Sequence, residues 1–163
     1  MRWSIVIALT ERGLMDQAAL DQELKLDNTL TGKLSYLTAL AARPIAQAKD
    51  EVWKSITEEE LSTSEREAKL AGFMRALHRP LLANYIEPYF DLLIETWGKK
   101  SYEVASKFVT GMFPIYITTQ ATLDKTNQWL SGAGKDGQAG LRRLVIEAKD
   151  SLERALAVQK RDE

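Results

Sequence analysis

The chain has 163 residues, 22 Lys+Arg against 23 Asp+Glu, one His and no Cys, for a formal net charge of -1. Its length and 45% apolar content suit one soluble domain that buries roughly 70% of its unfolded surface. Zero cysteine excludes disulfides, thiolate metal sites and cysteine nucleophiles, and gives no support to an oxidising compartment. The lone imidazole excludes two-histidine zinc centres, and the near-neutral balance argues against nucleic acid as a partner.

Helical periodicity runs from the first residues onward. A helix is predicted over 2–12, and its apolar run Ile5 to Leu9 is far short of the ~20 residues a membrane span needs. Trp3, Ile5, Val6, Ile7 and Leu9 are too many for one narrow face, so some are expected to lie against structure beyond this chain. Helices over 16–26, 29–42 and 44–56 follow, with Pro44 placed where a first turn tolerates it. Glu58-Glu59-Glu60 reads as a solvated acidic loop. Ser62-x-x-Glu65 and Ser64-x-x-Glu67 are overlapping capping boxes for a helix over 64–77, whose face is Leu70, Phe73, Met74 and Leu77.

His78 precedes Arg79-Pro80 at the expected helix end and reads as a surface or capping residue. Asn84-x-x-Glu87 is a candidate start for a helix over 85–98, with Pro88 in its first turn and Ile86, Tyr89, Phe90, Leu93 and Trp97 on one face. The next helix, 102–113, carries Val104, Phe108 and Met112 and ends at Pro114. Residues 114–119 look locally like a strand but have no partner strand, so a buried connector is expected. Helices over 120–131 and 138–160 complete the chain. In the last, Leu141, Leu144, Val145, Ala148, Leu152, Ala155 and Leu156 hold one face, and Arg143→Glu147 and Asp150→Arg154 form i,i+4 pairs on the other. The four tryptophans fall among aliphatics at helical spacing and read as core.

Gly132-Ala133-Gly134-Lys135-Asp136-Gly137 between the last two helices matches a dinucleotide-binding fingerprint letter for letter. Such a site needs a preceding strand, and here a helix precedes, so the segment reads as a flexible loop. H-E-x-x-H, G-x-S-x-G and the phosphate-loop pattern are missing, so no catalytic centre can be assembled. Eight or nine helices with short linkers predict an all-α fold, a HEAT/armadillo-like superhelix of antiparallel helix pairs, as one domain over 1–163. No repeat of fixed period supports that architecture. The residues alone describe a binding, lid or scaffold domain.

The order of landmarks adds to this. Ala42-Arg43-Pro44-Ile45-Ala46-Gln47-Ala48-Lys49 leads to Trp53, then Tyr85, Tyr89-Phe90 and Trp97. Gly111-Met112-Phe113-Pro114, Leu123, Trp129-Leu130 and Leu141-Arg142-Arg143-Leu144-Val145-Ile146-Glu147 follow. This resembles the end of the C-terminal helical domain of bacterial aminopeptidase N, a family of zinc-dependent metallopeptidases that remove N-terminal residues from peptides. The resemblance covers about Arg2 to Asp162 and rests on packing residues. It implies a non-catalytic domain covering the active-site chamber and restricting peptide access, with the zinc, the catalytic residues and the amino-end-binding segment in earlier domains of the same polypeptide. No catalytic or metal residue maps onto this chain, and no cofactor is expected in it. The start at Met1 within an apolar helix is expected of the end of a larger domain in a multidomain peptidase. The implied partners are the catalytic domain and peptide substrates, with no nucleic acid or membrane, and the expected compartment is the cytoplasm. A free-standing HEAT-like protein-interaction scaffold is the alternative.

Should the domain face such a chamber, a peptide held by its amino end would trail a carboxylate or polar backbone toward it. Cations suit that task, Arg through a bidentate fork and Lys as a point charge. The candidates are Lys99 and Lys100, after Trp97, and Arg142 and Arg143, in the first turns of the final helix, where the unpaired N–H groups of the helix start favour Arg142 over the other three.

Overall fold

A computed structural model describes residues 2–162, and among them every regular element is helical. The chain divides into two compact units, Met1–Leu81 and Leu82–Glu163.

The first unit holds α1 (Arg2–Glu11), α2 (Gln17–Leu26), α3 (Leu30–Ala41), α4 (Ala46–Glu58) and α5 (Thr63–Phe73). Its starts follow local chemistry: the Asp16 carboxylate accepts from the Ala19 amide at 2.9 Å, and Thr29 Oγ1 accepts from Gly32 at 3.0 Å. The Ser62–Glu65 capping box forms at both ends, so this pair rather than Ser64–Glu67 opens α5. Pro44 lies outside the first turn of α4, whose N-cap is Ile45. α1 ends in a Schellman motif: Gly13 takes φ 73°, Leu14 N–H reaches Leu9 O at 3.0 Å, and Gly13 N–H reaches Thr10 O at 2.8 Å.

α3 is the hub of this unit and touches α1, α2, α4 and α5. Small residues let it serve so many neighbours. Ala39, Ala41 and Ala42 are fully buried, and a Cβ added at Gly72 of α5 would stand 2.1 Å from the Thr38 carbonyl oxygen of α3. Val6, Leu20 and Ala39 form one core cluster, flanked by Trp3, Ile7, Met15, Tyr36 and Leu40. Of the five apolar residues of α1 noted above, only Val6 is buried, while Ile5 is 57% and Leu9 37% exposed.

The predicted helix over 64–77 stops at Phe73. A 3-10 turn (Ala76–His78), the one-turn helix α6 (Arg79–Leu82) and a second 3-10 turn (Ala83–Tyr85) follow. Leu77 therefore leaves the apolar face and is 59% exposed. Asn84 does not cap: the N-cap of the next helix is Tyr85, whose side chain makes no capping bond, because the backbone is already helical at Leu82.

The second unit holds α7 (Ile86–Lys99), α8 (Tyr102–Gly111), α9 (Gln120–Ser131) and α10 (Ala139–Asp162). Pro88 sits in the first turn of α7, where its missing N–H costs little. Ser101 and Thr119 cap α8 and α9 through their hydroxyls. α8 closes at Gly111 with Met112 as its C-cap, and residues 114–119 are a turn in which Pro114 is buried and Ile115 and Ile117 half-buried. An aromatic cluster fills the core. Tyr89 stacks on Phe108 at 5.8 Å, meets Phe113 edge-on at 6.0 Å, and donates its hydroxyl to Val109 O at 2.7 Å. Phe90 leans on Trp129 at 6.4 Å. Leu141, Val145 and Leu152 are the fully buried positions of the apolar face of α10. Among the described residues no helix is long and apolar enough to cross a membrane.

Candidate functional site

The four cations named from the sequence all belong to the second unit, and Trp97 joins the two ends of helix that carry them. Its indole N–H donates to Gln138 Oε1 at 2.9 Å, and its ring lies so close to Gly140 that a Cβ there would come within 2.9 Å. The last turn of α7, with Lys99 and Lys100, is thus fixed against the first turn of α10, with Arg142 and Arg143. Lys99 Nζ pairs with Glu95 at 2.7 Å, which holds the Glu95 carboxyl below the usual carboxylate range. Arg143 pairs with Glu147 at 3.7 Å, and both partners of each pair are well exposed, so each pairing is weak. Lys100 is half-buried at the C-cap of α7.

Arg142 is engaged differently. Its Nη1 donates to Leu130 O at 2.9 Å and also to Gly134 O. One acceptor lies in the last turn of α9 and the other in the glycine segment, so a single guanidinium ties that segment to the helix end. Gly134 lies against the Trp129 ring, with space for no Cβ, and its N–H bonds Trp129 O at 2.8 Å. Residues 132–137 are accordingly a pinned turn, rather than the flexible loop their composition suggests.

The first unit contains buried charges. Lys49 is 0% exposed, and its Nζ donates to Ala41 O at 2.6 Å, Phe73 O at 3.2 Å and Gly72 O at 3.4 Å. Those carbonyls belong to the last turns of α3 and α5, which lack partners within their own helices. One ammonium thus closes two helix ends, where the negative ends of both dipoles also favour it. Burial nevertheless pushes the amine down to about 7. Arg66 does a similar task about two turns away along α5, donating to Ile56 O near the end of α4 at 2.8 Å, and Lys69 meets Ser55 Oγ beside it.

His78 is buried at 4% exposure, not a surface residue. Because α5 stops early, the following 3-10 turn brings the imidazole under the end of α1, where Nε2 donates to Glu11 O at 2.9 Å. Arg75 pairs with the Glu11 carboxylate at 2.6 Å in the same place. The zinc implied by the resemblance finds no donor set here: no three His, Asp or Glu side chains converge among the described residues, and the imidazole is turned to a carbonyl. Glu58, Glu59 and Glu60 are exposed.

What was legible for Lys49 was its register. It lies three residues before Val52 and seven before Ile56, on the buried stripe of α4. A charged residue on an apolar stripe is the signal that a buried polar role leaves in a sequence.

The sequence profile of the ERAP1-like C-terminal domain matches residues 1–154. The chain is also 39% identical over 163 residues to the aminopeptidase N of Streptomyces lividans, across 99% of its own length and 19% of that relative. It thus spans about a fifth of the curated relative it matches.

Proposed function

The chain belongs to the ERAP1-like C-terminal domain family, and from that premise we propose that it is the non-catalytic end of a zinc-dependent aminopeptidase N. In this reading, residues 1–163 are one helical domain, the end of a larger C-terminal domain, and the catalytic domain of the same polypeptide is its partner. The domain covers the active-site chamber and restricts which peptides enter. The observation that carries the reading is 39% identity along 99% of the chain to an aminopeptidase N. The parent would hold the zinc elsewhere and work in the cytoplasm.

The contact pattern supports a HEAT-like arrangement. In the first unit α1 packs on α3 and α3 on α5, while α2 and α4 pack against their neighbours in sequence. In the second unit α7 packs on α9 and α8 on α10. Contacts between helices two apart, alongside those between sequence neighbours, are what stacked helical pairs would make.

In the proposed role, Lys99, Lys100 and Arg143 are the cations that meet the trailing part of a peptide. Arg142, committed to two carbonyls, orders the glycine turn beside them and contributes mainly field. The test uses the full-length parent with Lys99→Ser and Arg143→Ser combined, since both pairs are exposed and their loss leaves the fold intact. The expected result is a raised KM for peptides of about ten residues with an unchanged kcat/KM for an aminoacyl reporter. Equal effects on both, or none on either, would refute the role of these cations.

A further inference from the structure

The imidazole of His78 occupies a place that accepts only its neutral form. Its Nε2 faces a backbone carbonyl, Glu11 O at 2.9 Å, so Nε2 carries the proton and donates. Its Nδ1 is buried without a hydrogen-bond partner. A second proton would go to Nδ1, creating a buried N–H with no acceptor. The charged groups that face the ring are Lys49 from α4, Glu11 from α1 and Arg75 from the chain just before the turn. Two of the three are cations, and the one carboxylate, Glu11, is already bonded to Arg75 at 2.6 Å. Both the missing acceptor and the surrounding charge oppose an imidazolium.

We propose that His78 is an acid-released latch: protonating the buried ring detaches the Ala76–His78 turn from the end of α1. The element held is short, a 3-10 turn whose own bond is His78 N–H to Arg75 O at 3.0 Å. Among the described residues, its polar ties to α1 are the His78–Glu11 carbonyl bond and the Arg75–Glu11 pair, so losing the first leaves one partly exposed ion pair. Solvation of a released imidazolium offsets the lost bond, whereas the cores around Val6, Leu20 and Ala39 keep their burial. Desolvation, the largest cause, together with the Lys49 and Arg75 charges, outweighs the Glu11 carbonyl bond and carboxylate, which favour the charged form, and lowers the ring from the ordinary histidine value. The sign follows: a depressed folded value means the tie is fully present above the unfolded value of about 6.5 and is lost as pH falls through the folded one. The latch is independent of the peptidase reading, since nothing in it involves substrate.

This chain has one histidine, so its ring proton resonance is unambiguous. The experiment titrates that resonance by NMR from pH 8 to 4 and follows amide exchange at Arg75 to Arg79, corrected for the intrinsic pH dependence. The expected result is a ring midpoint below the ordinary 6.5, with local protection falling severalfold between about 6.5 and that midpoint and levelling off below it, while α3 amides stay protected. His78→Gln, which keeps a side-chain N–H for Glu11 O and cannot be charged, should hold its protection across the range. A ring midpoint at or above 6.5 would overturn the latch. So would protection that is flat in the wild type, that falls outside the window between about 6.5 and the ring's own midpoint, or that falls equally in His78→Gln.

Discussion

Replacing Lys49 by methionine is the sharpest perturbation of the first unit. The thioether fills the same stem but leaves Ala41 O, Gly72 O and Phe73 O without their donor. Unsatisfied buried acceptors cost about 1–3 kcal/mol each, and two of these three bonds are long, so the carbonyls together lose about 5 kcal/mol. Against this stands the relief of a buried charge. The amine falls from 10.5 to about 7, which at ~1.36 kcal/mol per unit also comes to about 5 kcal/mol on the protonated form. The two nearly cancel when Lys49 is protonated in both states. Between 7 and 10.5 the unfolded chain holds a proton that the folded chain has lost, so wild-type stability rises with pH and Lys49→Met does not follow. The expected outcome is near-parity at pH 6 and a deficit of about 2–3 kcal/mol for the variant at pH 9. Urea denaturation followed by far-UV circular dichroism at both pH values reads it directly. A gap independent of pH, or one that closes as pH rises, would refute the assignment of Lys49 as a buried, proton-shedding closure of two helix ends.

Other perturbations follow from particular contacts. Gly72→Ala places a Cβ against the Thr38 carbonyl, a backbone atom that cannot yield, and should cost about 3 kcal/mol in the same denaturation assay. Ser62→Ala removes the hydroxyl that caps α5 and should cost about 1 kcal/mol, with Glu65 then titrating closer to the ordinary carboxylate value because Ser62 no longer holds it down. Arg142→Met should leave α10 helical but expose the Gly134 and Lys135 amides to faster hydrogen exchange, since the guanidinium that ties the glycine turn to α9 is gone.

Part of the helix pattern was readable because caps are local: Ser62 bonds the Glu65 amide as its spacing predicts, and Asp16, Thr29, Ser101 and Thr119 cap their helices in the same way, whereas α4 and α7 begin without a side-chain cap. The apolar face of α10 was readable because seven residues repeat it. Residues 74–85 were not. Leu77 continues the period of α5, yet the chain leaves the helix after Phe73, and the burial of His78 depends on the end of α1, more than sixty residues away. The same distance effect hid Lys49, whose role exists only where the ends of α3 and α5 converge. For the cations, the sequence placed Lys99, Lys100, Arg142 and Arg143 in the turns where they stand. It carried no sign that Arg142 is already bonded to the Leu130 and Gly134 carbonyls.

The proposal that this chain restricts access to a peptidase chamber is tested most directly by a ratio. In the full-length parent, and in the same protein ended just before residue 1 of this chain, kcat/KM is measured for an aminoacyl reporter and for a peptide of about ten residues. The account predicts that the shortened enzyme still hydrolyses the reporter while its preference between long and short substrates changes severalfold. An unchanged ratio with reporter activity retained would contradict it.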